Sequence, residues 1–210
     1  MARSWFTLHD TVFVVTVSMG GTIPGPVDGP VSETTAWTVG VHTYDVGVEI
    51  RTARYDDPDA VKLNDEVQLE YVARYGDGDV TFMDAAHFDP PHGLYLLAYD
   101  EDGRPVASGG WRTQDASPEG FSDGDAEIKR MFVVAAARGR GLARAILARL
   151  EASAAAAGRI RMVLETGELQ QEAIALYRSC GYADVPKFGH YRDHELSVCM
   201  GKVLTAPDPA

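Results

Sequence analysis

The apolar positions along the chain change rhythm several times, and each change marks an element. Alternation in VGVEIRTA (46–53) predicts a strand. Asp56, Asp57 and Pro58 then supply a helix start, with aspartate to accept from the unpaired N–H groups and proline in the first turn. Leu63, Val67 and Tyr71 recur at every fourth position, making one apolar face of a helix that ends near Tyr75–Gly76. FMDAAHFDPPHG has no period, and Pro90–Pro91 closes off any helix there. GLYLLAYD and RPVASGGWR read as strands joined through Asp100–Glu101–Asp102–Gly103, a hairpin turn sequence. AEIKRMFVV (126–134) predicts a further strand.

Beyond the stretch RGRG the rhythm becomes helical. Leu142, Ile146 and Leu150 share one face, with Ala143, Leu147 and Ala154 beside them. RIRMVLET (159–166) predicts a strand. Gln170 to Ser179 reads as a second helix with Ile174 and Tyr177 in its middle, stopped by Gly181, and ELSVCMGKVL (195–204) as a last strand. The order is β, α, a β-meander, then β-α-β-α-β. This is a mixed α/β domain with a parallel crossover around the Leu142 helix. Residues 1–44 differ: they hold few charges and many Gly, Pro, Ser and Thr. VFVVTV there suits a strand, and GGTIPGPVDGPVSETT reads as linker. The expected organisation is an N-terminal Gly/Pro-rich extension over 1–44 with no legible role, one domain over 45–205 and a tail over 206–210.

Charge narrows the function. Against 31 acidic residues stand 19 Lys and Arg, for a formal net charge of -12 and a pI near 4.8. That balance argues against a chain that holds a polyanion by charge, so no nucleic acid is expected. An acidic surface favours cationic partners such as amines, and it is equally an ordinary soluble surface. Cys180 and Cys199 match neither a disulfide framework nor a zinc site, and read as free thiols in a reducing compartment. No apolar run has the length of a membrane span. FTLHDTVFVVTVSMGG makes a poor signal peptide, with His9 and Asp10 before its apolar run and only Arg3 as a basic flank. A cytoplasmic location with no membrane partner is expected.

The loop Arg138-Gly139-Arg140-Gly141 joins a strand to a helix, which is an anion site by geometry. The first N–H groups of the helix lack partners, and its dipole places partial positive charge there. The loop is no dinucleotide fingerprint, because the next glycine expected is Arg144, and it lacks the G-K-[ST] ending of a P-loop. Taken alone it is equally well a helix start with two solvated arginines.

Its neighbours add a resemblance. The chain resembles the GNAT superfamily of acyl-CoA-dependent N-acetyltransferases, whose signature Q/R-x-x-G-x-G/A reads here Arg138-Gly139-Arg140-Gly141-Leu142-Ala143. EIKRMFVVAAA is similar to the family's fourth strand, and LETGELQQEAIALYRSCGY (164–182) to its next strand and helix. FDPPHGLYLLAYDEDGRPVASGGWR resembles the hairpin of its second and third strands. The likeness covers residues 46–204. Ala135 stands where many members have proline, and Gln170 where many have asparagine. The resemblance implies a central twisted, mostly antiparallel sheet flanked by helices, with a parallel pair, the family's fourth and fifth strands, splayed around acetyl-CoA.

It also implies a reaction: transfer of an acetyl group from acetyl-CoA to a primary amine of a small molecule or protein, by direct attack in a ternary complex and without a metal. Backbone groups of Phe132, Val133 and Val134 would pair with the pantetheine. The amides of Arg138, Gly139, Arg140, Gly141, Leu142 and Ala143 would cradle the pyrophosphate, and Gln170 would hydrogen-bond the cofactor. A backbone N–H near Val133 would polarise the thioester carbonyl. Tyr177 matches the position of a phenol that protonates the leaving thiolate; the alternative is an aromatic packed beside Ile174. Glu127, eleven residues before Arg138, matches a general base, or is an exposed strand-end acid beside Asp123 and Asp125. Glu165 is a second candidate, read more readily as a structural hydrogen bond. His190, Tyr191 and His194, with the loop over 74–93, would border the acceptor site. Asp84, Asp89 and the acids over 123–127 would line a channel for a cationic amine. A rival reading keeps the fold as a catalytically inactive CoA-binding or acyl-CoA-sensing module. The sequence leaves the oligomeric state open, a homodimer included.

Overall fold

The computed structural model describes residues 3–8, 11–17, 39–43 and 48–205. The chain divides into two compact units, Met1–Val46 and Gly47–Ala210. The first holds a three-stranded antiparallel sheet of β1 (Arg3–Leu8), β2 (Thr11–Val17) and β3 (Val39–Thr43), in that order. The expected strand VFVVTV lies within β2; the Gly/Pro-rich stretch after it lies outside the described residues.

The second unit is built on a seven-stranded sheet. Its strands are β4 (Glu49–Ala53), β5 (Gly93–Tyr99), β6 (Pro105–Gln114), β7 (Asp125–Val133), β8 (Arg161–Gly167), β9 (Ala183–Asp184) and β10 (Ser197–Val203), in the order β4-β5-β6-β7-β8-β10-β9. Every neighbouring pair is antiparallel except β7 and β8, the counterparts of the family's fourth and fifth strands. Three helices flank the sheet: α1 (Pro58–Tyr75), α2 (Leu142–Ala156) and α3 (Gln171–Ser179). None of the described helices is long and apolar enough to cross a membrane.

Local chemistry sets the helix ends. Asp57 caps α1 by accepting from the Asp59 N–H at 2.9 Å, Pro58 opens its first turn, and Gly76 closes it at φ 84°. The β7–α2–β8 crossover is the parallel unit that the sequence pattern predicts. Short elements escaped that pattern, the 3-10 turn Ala135–Ala137 and the strands β1 and β3 among them. β9 has two residues, too few for alternation to show, and Ala85–Phe88 forms a 3-10 turn that delivers Phe88 to the core.

Consecutive glycines on β6 show how the two faces of the sheet are covered. Neighbouring strand residues face opposite ways. A Cβ at Gly110 would lie 2.5 Å from the Tyr95 ring and 2.8 Å from Phe88, in the cluster where Leu63 and Val67 of α1 pack. A Cβ at Gly109 would lie 3.0 Å from Ile146 of α2 and 2.3 Å from the Met131 sulfur. So α1 covers one face and α2 the other, with Trp111 donating from β6 to Ser153 of α2 at 3.2 Å. Gly110→Ala, which meets a stacked ring and the Leu94 carbonyl at 2.9 Å, should cost about 1–3 kcal/mol. Gly109→Ala displaces a flexible thioether and should cost less; thermal melts of the two variants check the ranking.

Candidate active site

The site follows from how β7 and β8 part. They pair through only three positions, Asp125↔Arg161, Ala126↔Met162 and Glu127↔Val163. The base of the fork is clamped by a bidentate ion pair, with Arg161 Nε and Nη2 donating to the buried Asp125 carboxylate at 2.7 and 2.8 Å. Past Glu127 and Val163 the strands separate. A β-bulge then re-aims β7: Lys129 faces Gly110 and Phe132 faces Ser108, so Arg130 and Met131 together oppose Gly109. Arg130 takes φ 56°, the one non-glycine among the described residues at positive φ. That conformation costs on the order of 1–3 kcal/mol and persists only where its surroundings enforce it. They do: Ser108 Oγ donates to the Arg130 carbonyl at 3.2 Å, and Arg130 Nη1 donates to Asp79 at 2.8 Å.

A cavity of about 370 Å³ fills the fork. One wall carries Lys129 and Arg130 of β7, the other Glu165 and Thr166 of β8, and Gln170 and Tyr177 close the α3 side. Tyr177 is buried, its ring 5.5 Å from Tyr182. Burial raises its phenol well above the ordinary tyrosine value, so it keeps its proton across the neutral range. Gln170 caps α3, and its amide oxygen accepts from Thr166 at 3.0 Å and from the Gly167 N–H at 3.3 Å. Glu165 accepts from Ser197 Oγ at 2.7 Å. Burial pushes the Glu165 carboxyl up, against the opposing pull of that hydrogen bond and of Lys129. Tyr191 and His194 also line the cavity, whereas His190 lines a second one.

Glu127 sits elsewhere. It is buried under a second cavity of about 210 Å³, where Arg112 Nε and Gln114 Nε2 donate to one oxygen at 2.8 and 2.7 Å. Lys129 Nζ holds the other oxygen at 2.8 Å. Burial alone would raise its pKa; the charges of Lys129 and Arg112 outweigh it and hold the carboxylate below its ordinary range. Glu127 is therefore the centre of an ion cluster, neither an exposed acid nor an open carboxylate facing the fork. Among the other acids expected near an acceptor channel, Asp84 caps the 3-10 turn, Asp89 pairs with Arg54, Asp123 accepts from the Ala116 N–H, and Asp125 clamps the fork. None of these four lines either cavity.

The glycine loop stands at the N terminus of α2, outside the cavity lining. Gly139 and Gly141 take φ 76° and 84°, with nothing within 4 Å of where a Cβ would sit. Gly141 is the N-cap of α2 and offers no side-chain cap, and Leu142 behind it is buried. Arg138 turns away from the loop: its Nε donates to the Val133 carbonyl at 2.9 Å and its guanidinium pairs with Glu70 of α1. One turn further along α1, Arg74 pairs with Glu172 of α3 and donates to the Leu169 carbonyl at 2.9 Å. Phe132, Val133 and Val134 lie past the named wall of the cavity, with Val133 opposite Ala107 and the Val134 N–H donating to Val106 at 2.9 Å.

The Glu127 cluster yields a stability prediction. Its folded-state pKa is lowered, so its contribution is present above the ordinary glutamate value and fades as pH falls through the folded one. Glu127→Ala should lose about 3–5 kcal/mol at neutral pH, because two buried cations lose their counter-ion. The gap from wild type should narrow in denaturant melts as the pH drops below about 4.

The profile of the "Acetyltransferase (GNAT) family" matches residues 60–182, more than half of the chain. The "IAA acetyltransferase" of Azospirillum brasilense is 48% identical over 81 residues, 39% of this chain; the chain spans 53% of that relative's length. The "putative acyl-CoA N-acyltransferase" of Klebsiella pneumoniae aligns with a TM-score of 0.60 at 28% identity, covering 77% of this chain and all of its own. Spermidine N-acetyltransferase from Vibrio cholerae, solved with CoA and spermine, shares the fold at a TM-score of 0.53 and 12% identity, over 77% of this chain and 98% of its own. With the family profile spanning more than half of its length, the chain belongs to the GNAT acetyltransferase family.

Proposed function

We propose that the chain is an N-acetyltransferase that moves the acetyl group of acetyl-CoA to a primary amine by direct attack within a ternary complex. The observation that carries this reading is one cavity, at the parting of β7 and β8, walled by the phenol of Tyr177 and the carboxyl of Glu165. The residues fit acetyl-CoA: β7 has no ladder partner on its β8 side beyond Glu127, and the N terminus of α2 has no side-chain cap. When bound, the thioester supplies the acyl group and a thiolate leaving group.

The protein's part is positioning and proton handling. The N–H groups from Arg138 to Ala143 hold the pyrophosphate, and the β7 edge at Val133, between Phe132 and Val134, holds the pantetheine. For that edge to open, the Arg138 guanidinium leaves the Val133 carbonyl and Glu70, which frees its charge for phosphate. Gln170 orients the cofactor from the start of α3. A β7 backbone N–H near Val133 polarises the acyl carbonyl. Tyr177 donates its proton to the departing sulfur. Glu165 takes the proton of the acceptor ammonium, because its raised pKa and its place on the cavity wall suit a base better than the triply bonded Glu127 does. Glu127 serves by holding Arg112 and Lys129. The acetyltransferase name of the Azospirillum relative supports the same reaction class.

Two measurements check the reading. Gly141→Val forces a β-branched residue into the left-handed region and should raise the acetyl-CoA Kd at least tenfold in calorimetry; unchanged affinity removes the loop from the site. In steady-state assays of thiol release, Glu165→Gln should lower kcat/KM by roughly 10²-fold or more. The base works deprotonated, so the wild-type rate falls as pH drops through a value above the ordinary carboxylate range, and that limb should vanish in the variant. Tyr177→Phe should lower kcat while leaving acetyl-CoA affinity in place, and a full rate would return Tyr177 to the core. Tight acetyl-CoA binding without thiol release for any amine would favour the sensing module instead.

A further inference from the structure

The stretch from Asp79 to Phe82, between α1 and β5, is neither helix nor strand, yet separate elements hold it from several directions. Gln68 of α1 grips Asp79 twice, its Nε2 donating to the Asp79 carbonyl at 3.0 Å and its Oε1 accepting from the Asp79 N–H at 2.8 Å. Arg130 of β7 donates to the Asp79 carboxylate at 2.8 Å. Tyr191, between β9 and β10, accepts from the Val80 N–H at 2.9 Å. Arg112 of β6, itself bound to Glu127, donates to the Phe82 carbonyl at 3.2 Å. Such ties remove the freedom that a surface loop usually keeps.

What this pinned loop presents is apolar. Val80 is 65% exposed and Phe82 76%. Exposure alternates from Val80 to Asp84, the two-residue period of an extended chain, which sets Val80 and Phe82 on one side. A single exposed apolar residue is ordinary; two on one side of a fixed loop, each lining a cavity, form a recognition surface. Val80 lines the main cavity and Phe82 the second. The two cavities meet at Glu165. Lys129 lines both, and a Cβ at Gly189, in the wall of the second, would lie 3.3 Å from Glu165 Oε2.

We infer that Val80 and Phe82 clamp the non-reacting end of the acceptor, and that the acceptor is a primary amine with an apolar tail and no second charge. The inference rests on the acetyl-transfer reading above and adds the class of amine. An amine at Glu165 stands at the seam of the cavities, from which a tail runs out past the loop. The acids beneath the loop are already taken, Asp79 by Arg130 and the Thr81 N–H, and Glu127 by its three donors. A tail ending in a second ammonium finds no open carboxylate there. Each methylene buried against the clamp, by contrast, raises affinity roughly threefold. Because the loop is fixed before the acceptor arrives, little of that gain is lost to ordering it.

The test uses the full chain with acetyl-CoA saturating. Ethylamine, butylamine and hexylamine lengthen an apolar tail, and the diamine and amino alcohol of hexylamine's length end it in charge or hydroxyl. Read by thiol release, kcat/KM should climb roughly threefold per methylene, and hexylamine should exceed both polar-ended partners tenfold or more. Equal or faster turnover of either partner overturns the clamp and leaves the acetyltransferase standing. The double variant Val80→Ser, Phe82→Ser, checked for folding by its melt and for loading by its acetyl-CoA Kd, should flatten the climb, chiefly through KM. A climb that survives in the folded, loaded variant overturns the assignment of these two residues. If no amine is turned over, the enzyme reading fails, and calorimetry of the same amines on the CoA-loaded protein decides the clamp separately. Affinity that rises with tail length and falls in the double variant supports it; flat or absent binding overturns it.

Discussion

Everything at the candidate site depends on where β7 and β8 stop being a sheet. Three rungs of parallel pairing, pinned by the ion pair of Arg161 with the buried Asp125, fix the vertex of the fork. Breaking a ladder normally leaves backbone N–H and C=O groups without partners, at a cost comparable to lost hydrogen bonds. Here that cost falls on the edge that the proposed function assigns to the pantetheine, so in that reading the defect in the sheet is also the recognition element. The bulge at Arg130 deepens the same defect, and the strain it stores is held in place by Ser108 and Asp79.

The fork also organises the electrostatics. Its arms bring Glu127, Lys129 and Arg130, all buried, from one strand near the half-buried Glu165 from the other. In such surroundings charges interact more strongly than at the surface, and unequal burial separates like groups. Two glutamates on neighbouring strands thereby take opposite characters. Glu127, ringed by donors, is held as an anion, whereas Glu165, with one hydroxyl partner and a desolvated carboxyl, is pushed toward its neutral form. The same logic keeps Tyr177 protonated.

Much of this was legible in the chain, and the rest failed for identifiable reasons. The Asp57 cap, the Gly76 stop, the hairpin through Asp100–Gly103 and the crossover around α2 are local signals, and local signals survive folding. The glycine loop could be found because its backbone conformation demands particular residues. Periodicity carries no trace of the bulge, because a bulge is a property of pairing: only the partner strand shows that Arg130 and Met131 share Gly109. The character of Glu127 was hidden for the same reason. Arg112 stands directly across the β6–β7 ladder from it, a register that no motif spells out. Asp79 sits in the polar stretch GDGDV, unremarkable until the fold brings Arg130 to it across 51 positions.

The two ion pairs at the end of α1 have a mechanical meaning. Glu70 reaches the rim that follows β7, through Arg138, while Arg74 reaches the rim that follows β8, through Glu172 and the Leu169 carbonyl. A single rigid helix therefore bridges the two arms like a crossbar, and the opening cannot widen without releasing one of its ends. Both ties lie at half-exposed surface positions, within reach of dissolved ions, whereas the Asp125 carboxylate at the vertex is buried. Added electrolyte weakens the former far more than the latter. The gap thus loosens at its mouth while its vertex stays fixed, so the ionic strength of the surrounding medium acts on the aperture and leaves the hinge alone.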